Sequence, residues 1–310
     1  MKSKVYCVLN DYSEDACKLL ETAGFEVCLS NKSTRPDETE LIDLVQKYDV
    51  LIIGAREKMT EKVYHACTRT KIIGTLSVGL DHISDLFLSS SNITVLNCPT
   101  SNVISVAEHT IALILALKKR LVESNEHSLD GSGRKGMSGL TRDISCLTLG
   151  VIGAGRIATE VIRIANAFKL KILCFTRNPN AHENLLPFGV DYVTLDTLLS
   201  KSDIITIHLP LVADTRQIIN AEKIKLMKNN AVFINTSRAE LVDMDMLINR
   251  VDTVPQFMVG MDIDIDNYSH LLNKKRSNLL ITPHTAGVSL DAIVRMDTEI
   301  AHAIINNTKR

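Results

Sequence analysis

Arg238 and His284 are the side chains of this sequence whose types and placement suit chemistry on a small acid. Each directly follows a short apolar run, in Asn235-Thr-Ser-Arg238-Ala-Glu-Leu-Val-Asp243 and Thr282-Pro-His284-Thr-Ala-Gly287. A guanidinium offers a fork of donors to a carboxylate and its neighbouring carbonyl, and an imidazole holds a proton near neutrality for a developing alkoxide. Singly, each also fits an ordinary role, a solvated charge after a strand or a histidine capping a helix. Their company decides between the readings, and a redox reaction at such an acid needs an electron carrier.

The segment Cys146 to Phe168, CLTLGVIGAGRIATEVIRIANAF, supplies a place for one. An apolar run meets a glycine turn that opens into helical periodicity, the pattern of a dinucleotide phosphate site. Gly153 makes the tight turn and Gly155 lets the backbone approach a pyrophosphate. The amides of Arg156 and Ile157 then begin a helix facing the anion, with Ala158 in the third small position. Gly131-Ser-Gly-Arg-Lys-Gly136 matches the glycine spacing letter for letter but lies in polar sequence with no strand before it, and is read as coincidence. The next strand, Lys171 to Phe175, ends in Thr176-Arg177-Asn178 without the acidic residue that would take a ribose 2′-hydroxyl. Arg177 can hold a 2′-phosphate instead, which favours NADP and keeps NAD as the alternative.

These residues need strands ending on one edge. Short apolar runs at Val5 to Leu9, Val50 to Ile53, Ile72 to Leu76 and Ile93 to Leu96 alternate with helical segments such as Glu14 to Thr22 and Glu40 to Lys47. A second series runs from Cys146 through Ile172 to Phe175, Ile204 to Ile207, Ala231 to Ile234, Phe257 to Ile263 and Leu279 to Thr282. Both are the βαβ pattern of parallel, helix-covered sheets. Between them lie an apolar helix, Ser105 to Leu117, and a polar connecting loop from Glu123 to about Arg142; a last helix covers Val288 to Asn306. The expected fold class is therefore α/β, with two doubly wound parallel-sheet domains.

Composition agrees: 310 residues, 45% hydrophobic and 23% charged, suit two globular domains. A net charge of -1 gives no broad field for nucleic acid or an anionic membrane, and no apolar stretch approaches the roughly 20 residues of a membrane span. Seven cysteines without a CxxC pair, mostly in apolar segments, read as buried free thiols, and the short apolar run after MKSK does not make a signal peptide, so a cytoplasmic protein is expected. Asp262, Asp264 and Asp266 alternate as residues on one strand face do. An EF-hand loop would put Gly and Glu where the chain has Asn267 and Asn273, so no metal is expected.

The chain as a whole resembles the D-isomer-specific 2-hydroxyacid dehydrogenases, which include glyoxylate and hydroxypyruvate reductases and phosphoglycerate dehydrogenase. The likeness rests on Ser77-Val-Gly-Leu-Asp-His82, Asn102-Val-Ile-Ser-Val-Ala-Glu108, the glycine turn, Ser202-Asp-Ile-Ile-Thr-Ile-His-Leu-Pro210, Met227 to Asp243 and Thr282-Pro-His284. It implies a flavodoxin-like substrate domain of residues 1–100 plus 285–310 with a Rossmann cofactor domain, 101–284, inserted. It further implies that Arg238 binds the carboxylate and carbonyl, with backbone at Val78 and Gly79 gripping the carboxylate, and that His284 is the acid/base. Leu209, Pro210, Thr236 and Asp262 would line the cofactor, and the protein would be a homodimer acting on a small 2-oxo or 2-hydroxy acid.

Two positions depart from the family pattern. Ala239 stands where the family has glycine, a change that matters only if the backbone there needs positive φ. Asn267 stands where the family has the glutamate that pairs with the catalytic histidine. A carboxylate there stabilises imidazolium; an amide gives a hydrogen bond without the charge. Either Asp266 substitutes or reduction falls off at lower pH than is usual. A rival reading is a nicotinamide-binding sensor or scaffold with little turnover.

Overall fold

The computed structural model describes residues 2–308 other than Ser138, Ile265 and Asn273; the side chain of Asp266, and with it the expectation that Asp266 substitutes for the glutamate, also lies outside the described residues. The chain divides into two compact units, Met1–Asn102 with Val288–Arg310, and Val103–Gly287.

In the first unit five strands, β1 (Lys4–Cys7), β2 (Glu26–Leu29), β3 (Val50–Ile53), β4 (Ile72–Thr75) and β5 (Thr94–Leu96), form a parallel sheet in the order β2-β1-β3-β4-β5. That is the flavodoxin-like order. β3 and β4 are buried at every residue because helices cover both faces, which is why they read as unbroken apolar runs. Helix Glu14–Thr22 is capped by the Ser13 hydroxyl, and helix Glu38–Lys47 by a reciprocal Asp37–Glu40 capping box. The last helix, Leu290–Thr308, packs on Glu14–Thr22 and against β4 and β5.

In the second unit seven strands follow: β6 (Thr148–Ile152), β7 (Lys171–Phe175), β8 (Val190–Tyr192), β9 (Ile204–Ile207), β10 (Val232–Asn235), β11 (Met258–Asp262) and β12 (Leu279–Thr282). Their order is β12-β11-β10-β9-β6-β7-β8, all parallel, the doubly wound dinucleotide order extended by one strand. The helix Val103–Lys118 is apolar nearly all round because it is wedged between helix Arg156–Ala167 and strands β10 and β11.

The structure corrects the sequence reading in three places. The supposed loop from Glu123 to Arg142 contains helix Leu121–Leu129 and a 3₁₀ turn, Gly133–Lys135. That helix buries no residue and is supported by pairs such as Arg120–Glu123, so it carries no apolar stripe to read. The short edge strands β2 and β8 are largely unburied and escape for the same reason. Of the seven free cysteines only Cys7, Cys98 and Cys174 are buried, while Cys146 is exposed. Burial pushes the Cys98 and Cys174 thiols up to about 12, which leaves them unreactive.

One buried carboxyl ties the last helix to the first. Asp297, 1% exposed, accepts from the Ser13 N–H at 2.9 Å, and its own carbonyl accepts from the Tyr12 hydroxyl at 3.0 Å. Desolvation pushes this carboxyl up from 3.8 to about 6. The folded chain therefore holds a proton that the unfolded chain has released. The stability this group contributes is complete below about pH 4 and is lost as pH rises through about 6. Asp297→Asn is expected to flatten that part of the Tm–pH curve; a variant whose Tm fell from pH 4 to pH 7 as steeply as the wild type would clear Asp297 of the effect.

Candidate active site

Because all seven strands of the second unit are parallel, the loops after β6, β7, β9, β10, β11 and β12 leave one edge of the sheet. The glycine turn follows β6, whose neighbours β7 and β9 wind in opposite directions, so it stands at the switch point where such sheets bind ligands. Gly153 has φ +102°, and a Cβ there would stand 2.5 Å from the His208 carbonyl oxygen after β9. Only glycine allows this approach. At Gly155 a Cβ would meet nothing within 4 Å, so open space lies before helix Arg156–Ala167, whose first turn has no side-chain cap. Exposed Arg156 and half-buried Ile157 begin that helix. Uncapped amides, a positive dipole end and free space suit a pyrophosphate.

His208 is buried, with Nε2 3.0 Å from the Thr206 hydroxyl and Nδ1 without a partner among the described residues. Burial lowers it to about 3, so it is neutral at physiological pH and is no proton donor. Leu209 is half-buried and Pro210 exposed beyond it. At the end of β7, Thr176 is half-buried and Arg177 exposed, with Arg177 Nη1 3.6 Å from Asp214 in a pair whose side chains are 78% and 79% exposed. So open a pair holds the guanidinium weakly. Thr236, buried after β10, places its hydroxyl 3.0 Å from that of Thr110, which itself donates to the Val106 carbonyl.

Arg238 is half-buried on a turn stapled by a fully buried asparagine. Asn235 Nδ2 donates to the Arg238 carbonyl at 2.8 Å and its Oδ1 accepts from the Ser237 N–H at 2.9 Å; the Ser237 hydroxyl donates to Ile207 on β9 at 3.0 Å. Arg238 Nη1 donates to the Ser237 carbonyl at 2.9 Å. Ala239 opens the 3₁₀ turn Ala239–Leu241 and is not among the described residues with positive φ, so the missing glycine costs this backbone nothing.

His284 is exposed after β12, with φ +54°, a left-handed conformation uncommon outside glycine. It is held there by Asp262, 1% exposed, at the end of β11. Asp262 Oδ1 accepts from the Thr282 hydroxyl at 2.6 Å and the Thr285 N–H at 2.8 Å, and Oδ2 accepts from the Ala286 N–H at 2.8 Å. The carboxylate thus grips the chain on both sides of the histidine and keeps one acceptor position on Oδ2. Asn267 is exposed on the 3₁₀ turn Asp266–Tyr268, and Asp264 is exposed. His109, given no role by the sequence, places Nε2 2.9 Å from the Thr282 hydroxyl. Its signal was the polar group Glu108-His109-Thr110 inside a helix otherwise largely apolar. Among the described residues no group of His, Cys, Asp and Glu is placed to hold a metal ion, and no helix is long and apolar enough to cross a membrane.

In the first unit, half-buried Val78 and Gly79 follow β4 in a loop whose carbonyls are held by nearby side chains. The Val78 carbonyl accepts from Asn97 Nδ2 at 2.8 Å and the Gly79 carbonyl from the Ser77 hydroxyl at 2.7 Å. Among the described residues neither amide N–H has a hydrogen-bond partner.

The second unit is thus a Rossmann-type dinucleotide-binding domain, and the buried orphan nitrogen of His208 and the space before Gly155 fit such a cofactor. Residues 111–286, more than half the chain, match the family model described as D-isomer specific 2-hydroxyacid dehydrogenase, NAD binding domain. The chain is 32% identical over 273 residues to the hydroxypyruvate reductase of Thermotoga maritima, covering 86% of this chain and 87% of that one. It is 31% identical over 281 residues to the D-3-phosphoglycerate dehydrogenase of Synechocystis, covering 90% of this chain but 50% of that protein. Among solved structures it is similar to the D-lactate dehydrogenase of Aquifex aeolicus complexed with NAD and lactic acid (TM-score 0.84, 29% identity, 99% of this chain and 95% of that one). An acyclic imino acid reductase in complex with NADPH and D-Arg is similar to the same degree (TM-score 0.84, 27% identity, 99% and 97%). The chain belongs to the D-isomer specific 2-hydroxyacid dehydrogenase family, a family of NAD(P)-dependent oxidoreductases.

The two glycines make contrasting tests. Gly153→Ala is expected to lose about 2 kcal/mol or more in urea denaturation, from the backbone clash and the positive φ together. Gly155→Ala is expected to leave stability nearly unchanged while weakening NAD(P)H binding, read by fluorescence titration, about tenfold or more. Equal effects of the two substitutions on stability would refute this division of roles.

Proposed function

We propose that this chain reduces a small 2-oxo acid to the D-2-hydroxy acid with NADPH as the preferred donor. The observation that carries the reading is that Arg238, Asp262 and His284 leave β10, β11 and β12, consecutive neighbours, on the same edge as the phosphate turn. When bound, the nicotinamide supplies the hydride. Gly153, Gly155 and the amides of Arg156 and Ile157 hold the pyrophosphate; Thr176 and Arg177 take the ribose end. Leu209, Pro210, Thr236 and the remaining acceptor of Asp262 line the rest.

Arg238 binds the substrate carboxylate and polarises the carbonyl, its backbone fixed by the Asn235 staple and its Nη1 donating to the Ser237 carbonyl. His284 gives a proton to the C2 oxygen as charge develops there, and takes it back in the reverse direction. The amides of Val78 and Gly79, whose carbonyls are engaged by Asn97 and Ser77, are suited to a carboxylate, and these residues are proposed as substrate ligands. The NADPH preference rests on Arg177 standing where an acid would repel a 2′-phosphate; the two solved relatives named above carry NAD and NADPH respectively, so they do not decide it. A homodimer is part of the same proposal.

Absorbance of the reduced cofactor, followed with glyoxylate, hydroxypyruvate, pyruvate and bulkier 2-oxo acids, tests the reaction. Arg238→Ala and His284→Ala are each expected to lower kcat/KM on the order of 100-fold or more. Tight cofactor binding without turnover on any acid would overturn the reading. Arg177→Ala is expected to raise the KM for NADPH about tenfold and leave that for NADH unchanged; NAD(H) binding ten times more tightly than NADP(H) in the wild type would defeat the preference.

A further inference from the structure

The turn carrying His284 is held at one remove by a second histidine. The Thr282 hydroxyl has one proton, and its 2.6 Å contact with Asp262 Oδ1 places that proton on the carboxylate side, since the other acceptor within reach, the Met261 carbonyl, is 3.4 Å away. The same oxygen lies 2.9 Å from His109 Nε2, so it accepts there and Nε2 carries a hydrogen. His109 Nε2 is also 3.9 Å from Asp262 Oδ1. The chain of contacts runs from helix Val103–Lys118 through Thr282 to Asp262, and from Asp262 to the amides of Thr285 and Ala286 beside His284. The Thr282 carbonyl adds a further hold, accepting from the His284 N–H at 2.9 Å.

We propose that His109 is a positioning residue for the reaction, fixing through Thr282 and Asp262 the left-handed turn that presents His284. It does not touch the reacting atoms. Its ring, 24% exposed, donates to the bridging hydroxyl and so frees that hydroxyl's proton for Asp262. Without this donor Thr282 is free to rotate toward the Met261 carbonyl, and Asp262 loses one of three hydrogen bonds that keep the turn in a conformation its backbone does not favour. This role rests on the functional reading above as far as turnover is concerned, but its structural half stands on the turn alone.

The test compares His109→Leu, His109→Gln, Thr282→Val and the double variant His109→Leu/Thr282→Val, all in the full chain. Two readouts are used: steady-state reduction of the best 2-oxo acid, and hydrogen exchange of the Thr285 and Ala286 amides. His109→Leu is expected to lower kcat about tenfold with the KM for the acid changed less than twofold, and to speed exchange of both amides about tenfold. Gln, whose amide can donate to the same oxygen, is expected to restore both within threefold. The double variant should be no worse than either single one, because the two residues act in one chain of contacts. Exchange and kcat within twofold of wild type in His109→Leu would overturn the proposal, as would additive losses in the double variant. If His109→Leu does not fold, Thr282→Val carries the same two readouts, and unchanged exchange there has the same force. A wild type without turnover defeats the functional reading alone; amide exchange then decides this inference unaided.

Discussion

A parallel strand can return to its sheet only through a crossover, and this constraint orders everything else in the second unit. Each strand must end on the edge where its neighbours end, so seven chain segments spread along the sequence end on one line. The helices required by the crossovers cover both faces, which makes the central strands β9 and β10 mainly aliphatic and fully buried, with Thr206 and the terminal Asn235 as their polar residues. Open parallel sheets bind ligands at that edge, in the crevice where neighbouring loops wind apart.

Within that frame two positions are set by backbone rather than side chain. Gly153 is fixed by the approach of the His208 carbonyl, which a methyl group would block. His284 keeps a left-handed conformation without being glycine, and the carboxylate of Asp262 binds the amides just beyond it. The first is a matter of space, the second of hydrogen bonds that outweigh a local preference of about 1–2 kcal/mol.

How much was legible in the sequence follows from what each feature leaves in the pattern. The strands β3 and β9 could be read residue for residue, since burial on both faces writes itself as an aliphatic run, and half-buried β12 could be read from its own short apolar run, Leu279 to Ile281. The phosphate turn was legible because glycine is irreplaceable there, and the family likeness named Arg238 and His284. Helix Leu121–Leu129 was not legible, because it buries nothing, and neither was Cys146, whose apolar neighbours Ile144 and Leu147 are buried while it faces out. The hold of Asp262 on the turn of His284 joins residues 109, 262 and 282 through space, and spacing along a chain carries no trace of such a meeting.

The sheet order also separates two kinds of change. Arg177 leaves β7, while Arg238 and His284 leave β10 and β12, with β6 and β9 standing between. At about 4.8 Å per strand, roughly 24 Å of sheet edge divides the end of β7 from the end of β12. On the proposed roles, selection acting on the choice of cofactor would therefore work at a different stretch of the edge from selection acting on the acid. The two traits are free to drift apart in a lineage, and a chain of this kind can exchange one without relearning the other.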